Sequence, residues 1–466
     1  MAHPHVVILA AGKGTRMKSA RPKVLHKVAG RPMIDRVLDV SAALNPQKTT
    51  VVLGHCAELL KSALDGREKV DFVVQSPQLG TGHALLVTEP SIGKAKGDLI
   101  LLSGDVPLLS APTLSRLFDH HTRNGAAATV LTAIAPDPTG YGRIVRSGER
   151  IARIVEDRDA TPEQRGISEI NSGVYAFAIE GLFDALRDIA TTNAQHEYYL
   201  PDLVEIFRSR GRIVETVTVD DFQEIRGVNS RQELAEVSRV VRDRKNAALM
   251  AAGVTLEDPA TTYIDDSVEV GSDTIIHPFV MLEGKTTIGE GCELHSGVRI
   301  VDSRIGNRVV VHNHCVIANS SVESNAEVGP FARLRPDVVV GERAKVGNFV
   351  EMKKTRLGPD SKAMHLSYLG DAVIGTKVNI GAGTITCNYD GTGKATTTIE
   401  DGAFVGSDSQ FIAPVTVGKG AYVGTGTTVR ENVPPGSLAV SAGKQRNIDG
   451  WVEKKKATRK ADTKKD

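Results

Sequence analysis

The 466 residues exceed what one ordinary core holds and point to about three units. Their 41% apolar and 24% charged fractions suit a soluble protein with large cores, and no run approaches the ~20 apolar residues of a membrane span. A net charge of +1 removes the main electrostatic ground for a nucleic-acid or anionic-membrane partner.

Residues 1 to about 228 alternate short apolar runs with amphipathic stretches. Val6–Ala10, Thr50–Leu53, Phe72–Val74, Leu99–Leu102 and Thr129–Ala133 read as buried strands. Met33–Leu44, Glu58–Leu64 and Leu114–His121 have helical spacing; Pro32 is expected at the first helical position of the first, and Pro46 lies just past its end. Such alternation predicts a mainly parallel sheet covered on both faces, with ligands at the C-terminal ends of its strands. From Ser230 to Met250 the pattern is helical (Leu234, Val237, Val241, Leu249), with Asn229-Ser230 as cap and Gly253 as stop.

From Ile264 an aliphatic residue, usually followed by Gly, returns every six positions, as in Val340-Gly341, Val346-Gly347, Met352 and again in Val405-Gly406, Phe411, Val417-Gly418, Val423-Gly424. A period of six fits neither an α-helix nor a simple strand. It fits a parallel β-helix in which each hexad is one face of a coil and the aliphatic residue fills the interior. Three faces make 18 residues, so Ile264 to Val429 spans roughly nine coils at ~4.8 Å each. The 45 glycines are explained by corners that need positive φ or lack space for a Cβ. Two interruptions are expected to leave the solenoid as loops, Pro359–Leu366 and Asn388–Thr397. The chain end from Glu453 carries seven basic residues against three acidic and reads as a disordered, solvated basic tail.

The cysteines, Cys56, Cys292, Cys315 and Cys387, lack metal-site spacing, and the Val6–Ala11 run is too short for a signal h-region. Free thiols in a reduced, cytoplasmic compartment are the expectation.

Leu9 to Met17 reads L-A-A-G-K-G-T-R-M, followed by Pro22-Lys23. A strand that empties into such a turn offers backbone N–H groups to phosphate oxygens, with Lys13, Arg16 and Lys23 adding charge. It is neither a Walker A loop, lacking G-K-[ST], nor a dinucleotide G-x-G-x-x-G, since Met17 holds the third glycine position. Asp105 follows a buried strand and Gly104, where a metal carboxylate or an ordinary solvated strand-end Asp are both at home.

The nonamer with Pro22-Lys23 is joined by Gln78-Leu79-Gly80-Thr81-Gly82-His83, Gly104–Leu108, Thr139–Ile144, Val155-Glu156, Glu169–Gly173 and Gly227-Val228-Asn229. Together they resemble the bifunctional N-acetylglucosamine-1-phosphate uridylyltransferase/glucosamine-1-phosphate acetyltransferases, across nearly the whole chain. The resemblance implies an α/β Rossmann-like nucleotidyltransferase domain (residues 1–228), a linker helix (229–252), a left-handed parallel β-helix of hexapeptide repeats (253–440) and a C-terminal arm and tail (441–466). It implies transfer of UMP from UTP to N-acetylglucosamine-1-phosphate with release of pyrophosphate, and acetylation of glucosamine-1-phosphate by acetyl-CoA. It also implies Mg²⁺ on Asp105 and Asn229, and a homotrimer assembled through the β-helix.

Carried over residue by residue, Arg16 and Lys23 meet the phosphates as catalytic residues. Leu9, Ala10, Ala11, Gly12, Gln75, Gly80, Thr81, Ser103 and Gly104 hold the nucleotide, with Gln75 on the uracil edge, and Gly142, Glu156 and Asn171 hold the sugar. In the second half His365, in the match K-A-M-H-L-S-Y-L, becomes the general base for the attacking amine, a task suited to a neutral imidazole. Arg335, Lys353, Tyr368 and Asn379 take the sugar phosphate. Ala382, Asn388, Tyr389, Ser407 and Thr425 line the acetyl-CoA groove, and Lys394 reaches an adjacent subunit.

Two departures stand out. Pro201 occupies a place where the family more often has Thr, removing an N–H and a hydroxyl on the sugar side. Ala442 stands where an Arg meets the CoA phosphates, with Lys444 or Arg446 as substitutes. Competing readings are a single-activity sugar-1-phosphate nucleotidyltransferase whose β-helix serves assembly or regulation, and a purely structural oligomer. The second leaves the charged and glycine residues after the strand ends unexplained.

Overall fold

The computed structural model describes residues 3–67, 69–441, 443, 445 and 447–462. It divides into two compact units, Met1–Lys245 and Asn246–Asp466.

The first unit is built on a mixed sheet. Its strands run in the order Val214–Val219, Ala128–Ile134, Glu169–Ala178, Asp98–Ser103, His5–Leu9, Lys48–Leu53, Val70–Val74. All are parallel except Glu169–Ala178, which is antiparallel to both neighbours and also pairs with the hairpin Arg143–Ser147/Arg150–Val155. The strands are near-continuous aliphatic runs because both faces are covered. Val6, Ile8, Ile100 and Leu102 pack against Ile34, Val37, Leu114 and Leu117 on one side. Val7, Leu99 and Leu101 pack against Leu85, Leu182 and Leu203 on the other. Pro32 ends the two-residue strand Arg31–Pro32 and precedes the helix Met33–Ala42 rather than opening it. The chain enters neighbouring strands on opposite sides of His5–Leu9, which makes its C-terminal end a switch point where a crevice must open.

The helix Arg231–Ala251 starts on a capping box. The Ser230 hydroxyl accepts from the Glu233 N–H at 3.2 Å, and the Glu233 carboxylate accepts from the N–H groups of Asn229 and Ser230 at 2.6 and 2.8 Å. Gly253, at φ 91°, ends the segment as expected.

Among the described residues the second unit is a three-faced prism of parallel sheets with 11, 10 and 9 strands, beginning at Thr255, earlier than the first clear hexad. Interior aliphatics stack in register: Ile276, Leu294, Val311, Val328, Val346, Ala363, Ile380, Val405 and Val423 form one column. Some coils have 17 residues where others have 18, because some faces advance by five, as from Met352 to Leu357. Ser303, Ser320 and Thr355 mark such short corners, and Ser303 Oγ and Thr355 Oγ1 accept from the backbone N–H of the next coil.

Two expectations change. Pro359–Leu366 does not leave the solenoid: Lys362–His365 is a regular strand between Lys345–Asn348 and Asn379–Ile380, with the small side chain of Ala363 filling the interior position. Only the second segment departs, and it closes on an antiparallel bridge between Tyr389 and Lys394. The chain end is not structureless either, since Trp451–Asp462 is a helix of good helix formers with the Lys455 ammonium 4.5 Å from the Trp451 ring centre.

The glycines that directly follow an interior aliphatic serve close approach; positive φ falls at other corner positions, held by glycine at Gly291, Gly402 and Gly420 and by other residues at Phe331, Arg343, Phe349, Asp360 and Lys377. A Cβ on Gly341 would stand 2.7 Å from the Pro359 nitrogen, and one on Gly347 would overlap the Met364 carbonyl. Gly347→Ala is therefore expected to force two coils apart, costing about 2 kcal/mol or more. A thermal transition of the β-helix unchanged from the parent would contradict this.

Candidate active sites

The switch point of the first unit opens into a cleft of about 440 Å³ lined by Leu9, Ala10, Ala11, Gly12, Lys13, Lys23, Gln75, Gln78, Gly80, Thr81, Ser103 and Asp105, among others. Strand geometry brings the two loops together: the Gly104 N–H donates to the Leu9 carbonyl at 2.9 Å. The Gln78 amide clamps the glycine loop by donating to the Ala11 carbonyl at 2.6 Å. Gly80 sits at φ 105°, and a Cβ there would press on the Tyr198 backbone, so this turn requires glycine. Gln75 is buried; its amide nitrogen donates to the Gly80 carbonyl at 2.9 Å and lies 3.1 Å from His83 Nδ1. Its Oε1 is left as the group available to a ligand.

Lys23 organises the charge. Its ammonium pairs with the Asp105 carboxylate and donates to Asn229 Oδ1 at 3.0 Å. Two oxygen donors from distant parts of the sequence are thereby held around one cation. A carboxylate and an amide oxygen suit a hard divalent ion such as Mg²⁺, and the ammonium marks where positive charge is stabilised. Arg16 departs from expectation. It is exposed on the turn Thr15–Met17 and does not line the cleft.

A second recess of about 200 Å³ shares Leu9, Thr81 and Ser103 with the first and is lined also by Gly142, Glu156, Asn171, Tyr175, Leu200 and Pro201. Asn171 is aimed here by a bulge in its strand, where the register shifts between Asn171 and Tyr175. Its N–H donates to the Gly142 carbonyl at 2.8 Å and its Oδ1 accepts from the Gly173 N–H at 3.0 Å. Burial, reinforced by Asp159, Asp202 and Asp157, pushes the Glu156 carboxyl up to about 7. Burial likewise pushes Asp202, the neighbour of Pro201, up to about 6, with Glu205 and Asp159 adding to it.

On the prism, one position recurs two residues after each interior aliphatic of the same face. It carries Asn348, His365, Ala382, Ser407 and Thr425 in successive coils. His365 is exposed, and its Nδ1 lies 2.8 Å from Asn348 Oδ1. An amide oxygen can only accept, so Nδ1 carries the proton and the Nε2 lone pair faces outward. Asn348 was not anticipated, although its offset from Val346 matches that of His365 from Ala363. Ala382, Ser407 and Thr425 continue the column at the ~4.8 Å coil spacing, a groove suited to an extended thioester donor.

The adjoining face stacks Arg335 and Lys353 one residue after Leu334 and Met352. Arg335 is held by Glu351 at 2.9 Å. Lys394 lies against Lys353 of the same chain. Contact with Lys394, with Arg335 adding repulsion, holds the Lys353 ammonium below its usual range. Three cations gathered in this way call for a polyanion. The Tyr368 ring lies over Gly370, where a Cβ would come 2.6 Å from its hydroxyl, and the Asn388 amide donates to Asp371. Tyr389 is exposed on the departing loop, and Asn379 stands beside Lys362 in register. Ala442, Lys444 and Arg446, on which the CoA-phosphate expectation rested, lie outside the described residues.

Residues 6–169 match the model of the MobA-like NTP transferase domain, and residues 267–302 that of the bacterial transferase hexapeptide (six repeats). A "Bifunctional protein GlmU" of Trichlorobacter lovleyi is 49% identical over 98% of this chain and 99% of its own length. Those of Koribacter versatilis and Shouchella clausii are 47% and 46% identical, over 98% and 97% of this chain and 98% and 100% of theirs.

The raised Glu156 carboxyl has a signed consequence. The native state keeps this proton up to about pH 7, whereas the ordinary value is 4.5. Between those values the folded state binds more protons than the unfolded one, so stability falls as pH rises. Glu156→Gln is expected to flatten that decline in urea midpoints followed across the interval; parallel profiles for the two proteins would contradict the assignment.

Proposed function

The chain belongs to the family of bifunctional GlmU proteins, and we propose that its two reaction centres are the switch-point cleft and the His365 column. It is a bifunctional transferase of UDP-N-acetylglucosamine synthesis, with an α/β nucleotidyltransferase domain and a left-handed parallel β-helix.

In the acetyl transfer, the amine of glucosamine-1-phosphate attacks the thioester carbon of acetyl-CoA. A C–N bond forms, the C–S bond breaks, and CoA leaves as its thiol. His365 Nε2 takes the amine proton, with Asn348 fixing the tautomer that makes this nitrogen basic. Arg335, Lys353 and Lys394 meet the phosphate, joined by Tyr368 and Asn379, while Ala382, Ser407, Thr425, Asn388 and Tyr389 receive the donor.

In the uridylyl transfer, a phosphate oxygen of N-acetylglucosamine-1-phosphate attacks the α-phosphorus of UTP and pyrophosphate departs. Both partners are anionic, so charge must be offset before they meet. Lys23 and the N–H groups of the glycine loop supply fixed positive charge. Asp105 and Asn229 would hold Mg²⁺, which when bound adds charge neutralisation at the phosphates. The free Gln75 Oε1 accepts the N3–H of uracil, a proton that cytosine lacks. Glu156 and Asn171 accept and donate to the sugar's hydroxyl and acetamido groups.

The observation that carries the two-centre reading is the His365–Asn348 pair: a bare scaffold has no use for an oriented, exposed imidazole. A homotrimer through the β-helix is part of the proposal. It is supported by the exposed corner column Phe331, Phe349 and Leu366, whose last member follows His365. No described helix is long and apolar enough to cross a membrane, and with free thiols at all four cysteines a cytoplasmic setting fits.

His365→Ala should lower acetyl transfer by about a hundredfold or more while leaving uridylyl transfer intact. Asp105→Ala should do the reverse. Free CoA and pyrophosphate, assayed separately, decide it; equal loss of both activities in a folded protein would contradict separate centres.

A further inference from the structure

Away from both centres, the early coils of the prism carry a ladder of histidines. One position after the interior aliphatics Leu256, Ile276, Leu294 and Val311 stand Glu257, His277, His295 and His312. The His277 and His295 rings stack at 4.7 Å and 6°, and His312 continues the stack at 5.2 Å. None of these residues takes part in the chemistry described above.

The hydrogen bonding around His277 is short of a cation. Its Nδ1 lies 2.8 Å from a Glu257 carboxylate oxygen and its Nε2 lies 3.2 Å from Glu293 Oε1. A neutral imidazole has one N–H, and carboxylates only accept. One nitrogen lone pair therefore faces a carboxylate oxygen unless a second proton or a metal ion stands between them. His295 sharpens the point, because its Nε2 turns to the same Glu293 Oε1 at 3.4 Å.

We propose that His277 Nε2, His295 Nε2 and Glu293 form a three-ligand site for a divalent transition metal of the Zn²⁺ class. The ligand atoms all lie within 4.8 Å of one another. The two oxygen–nitrogen separations approach the ~3.4 Å edge of a tetrahedron with ~2.1 Å metal–ligand bonds. The rings, stacked at 4.7 Å and 6°, must tilt toward each other for both lone pairs to meet one ion. Glu257 completes the arrangement by accepting from His277 Nδ1–H, the carboxylate–histidine support that fixes a ligand's tautomer. Glu257 and Glu293 together balance the charge of the ion. The side chains of His277, His295 and Glu293 are 22%, 25% and 42% exposed, which leaves a path for entry and a fourth position for water. Because the ligands come from successive coils, the metal would staple the beginning of the β-helix, where the stack is shortest of neighbours. His312, bonded to Glu327 at 2.9 Å, lies beside the site and outside the ligand set.

The test uses the untagged full-length protein, stripped with chelator and titrated with Zn²⁺, with Co²⁺ as an optical probe. About one ion per chain should bind in tetrahedral or five-coordinate geometry and raise the β-helix melting temperature. His295→Ala and Glu293→Gln should each weaken binding about tenfold or more and cancel the thermal gain, without changing either transfer activity in metal-free buffer for the acetyl step. Glu293→Gln preserves size and hydrogen bonding should the histidine variant fold poorly. Asp105→Ala, which removes the other candidate cation ligand, should keep the site. Undiminished Zn²⁺ binding in both ladder variants would overturn the proposal. So would nitrogen NMR showing a doubly protonated His277 that Zn²⁺ does not displace.

Discussion

Stacked coils of the β-helix approach so closely that each must present the same residue geometry as the one above it. The backbone of one coil occupies the space where a Cβ on Gly341 or Gly347 would sit. This single steric condition has two results. It fixes the interior aliphatics in register, and it delivers every other position of the hexad into a straight column on the outside. Asn348, His365, Ala382, Ser407 and Thr425 share one such column because each follows its interior residue by two. The exposed imidazole and the column that runs on from it are thus a consequence of the repeat rather than additions to it. The same periodicity produces the histidine ladder at another offset.

The first unit solves a different problem by different means. There the strand order reverses beside His5–Leu9, and the crevice this creates collects groups from the glycine loop, the strand end at Ser103–Asp105 and the distant Asn229. Lys23 binds these pieces together and is the counter-charge that keeps Asp105 in place. Catalysis by neutralising charge needs such prepaid arrangement. In the neighbouring recess burial and the nearby aspartates raise the Glu156 carboxyl to about 7.

Much of this was legible in the residues. The six-residue period announced the prism, the apolar strand runs announced a doubly covered sheet, and the glycine loop with Lys23 announced phosphate chemistry. What escaped has physical reasons. Ala363 keeps the hexad but is too small to read as an interior anchor, so a regular strand looked like a loop at Pro359–Leu366. Coils of 17 residues arise from five-residue faces, which a search for strict sixes passes over. Asn348 is an ordinary amide until register sets it beside His365. The return of Lys394 onto Lys353 depends on how the Tyr389–Lys394 loop closes, which spacing does not encode. The helix Trp451–Asp462 follows from local propensity, which a charge count ignores.

The central claim is that two unlike scaffolds on one polypeptide each run a complete reaction. The most direct measurement supplies the donors one at a time to purified protein. Glucosamine-1-phosphate with acetyl-CoA alone should release CoA thiol, and N-acetylglucosamine-1-phosphate with UTP and Mg²⁺ alone should release pyrophosphate. A requirement for both donors before either product appears, or release of pyrophosphate with no CoA under any condition, would contradict the account.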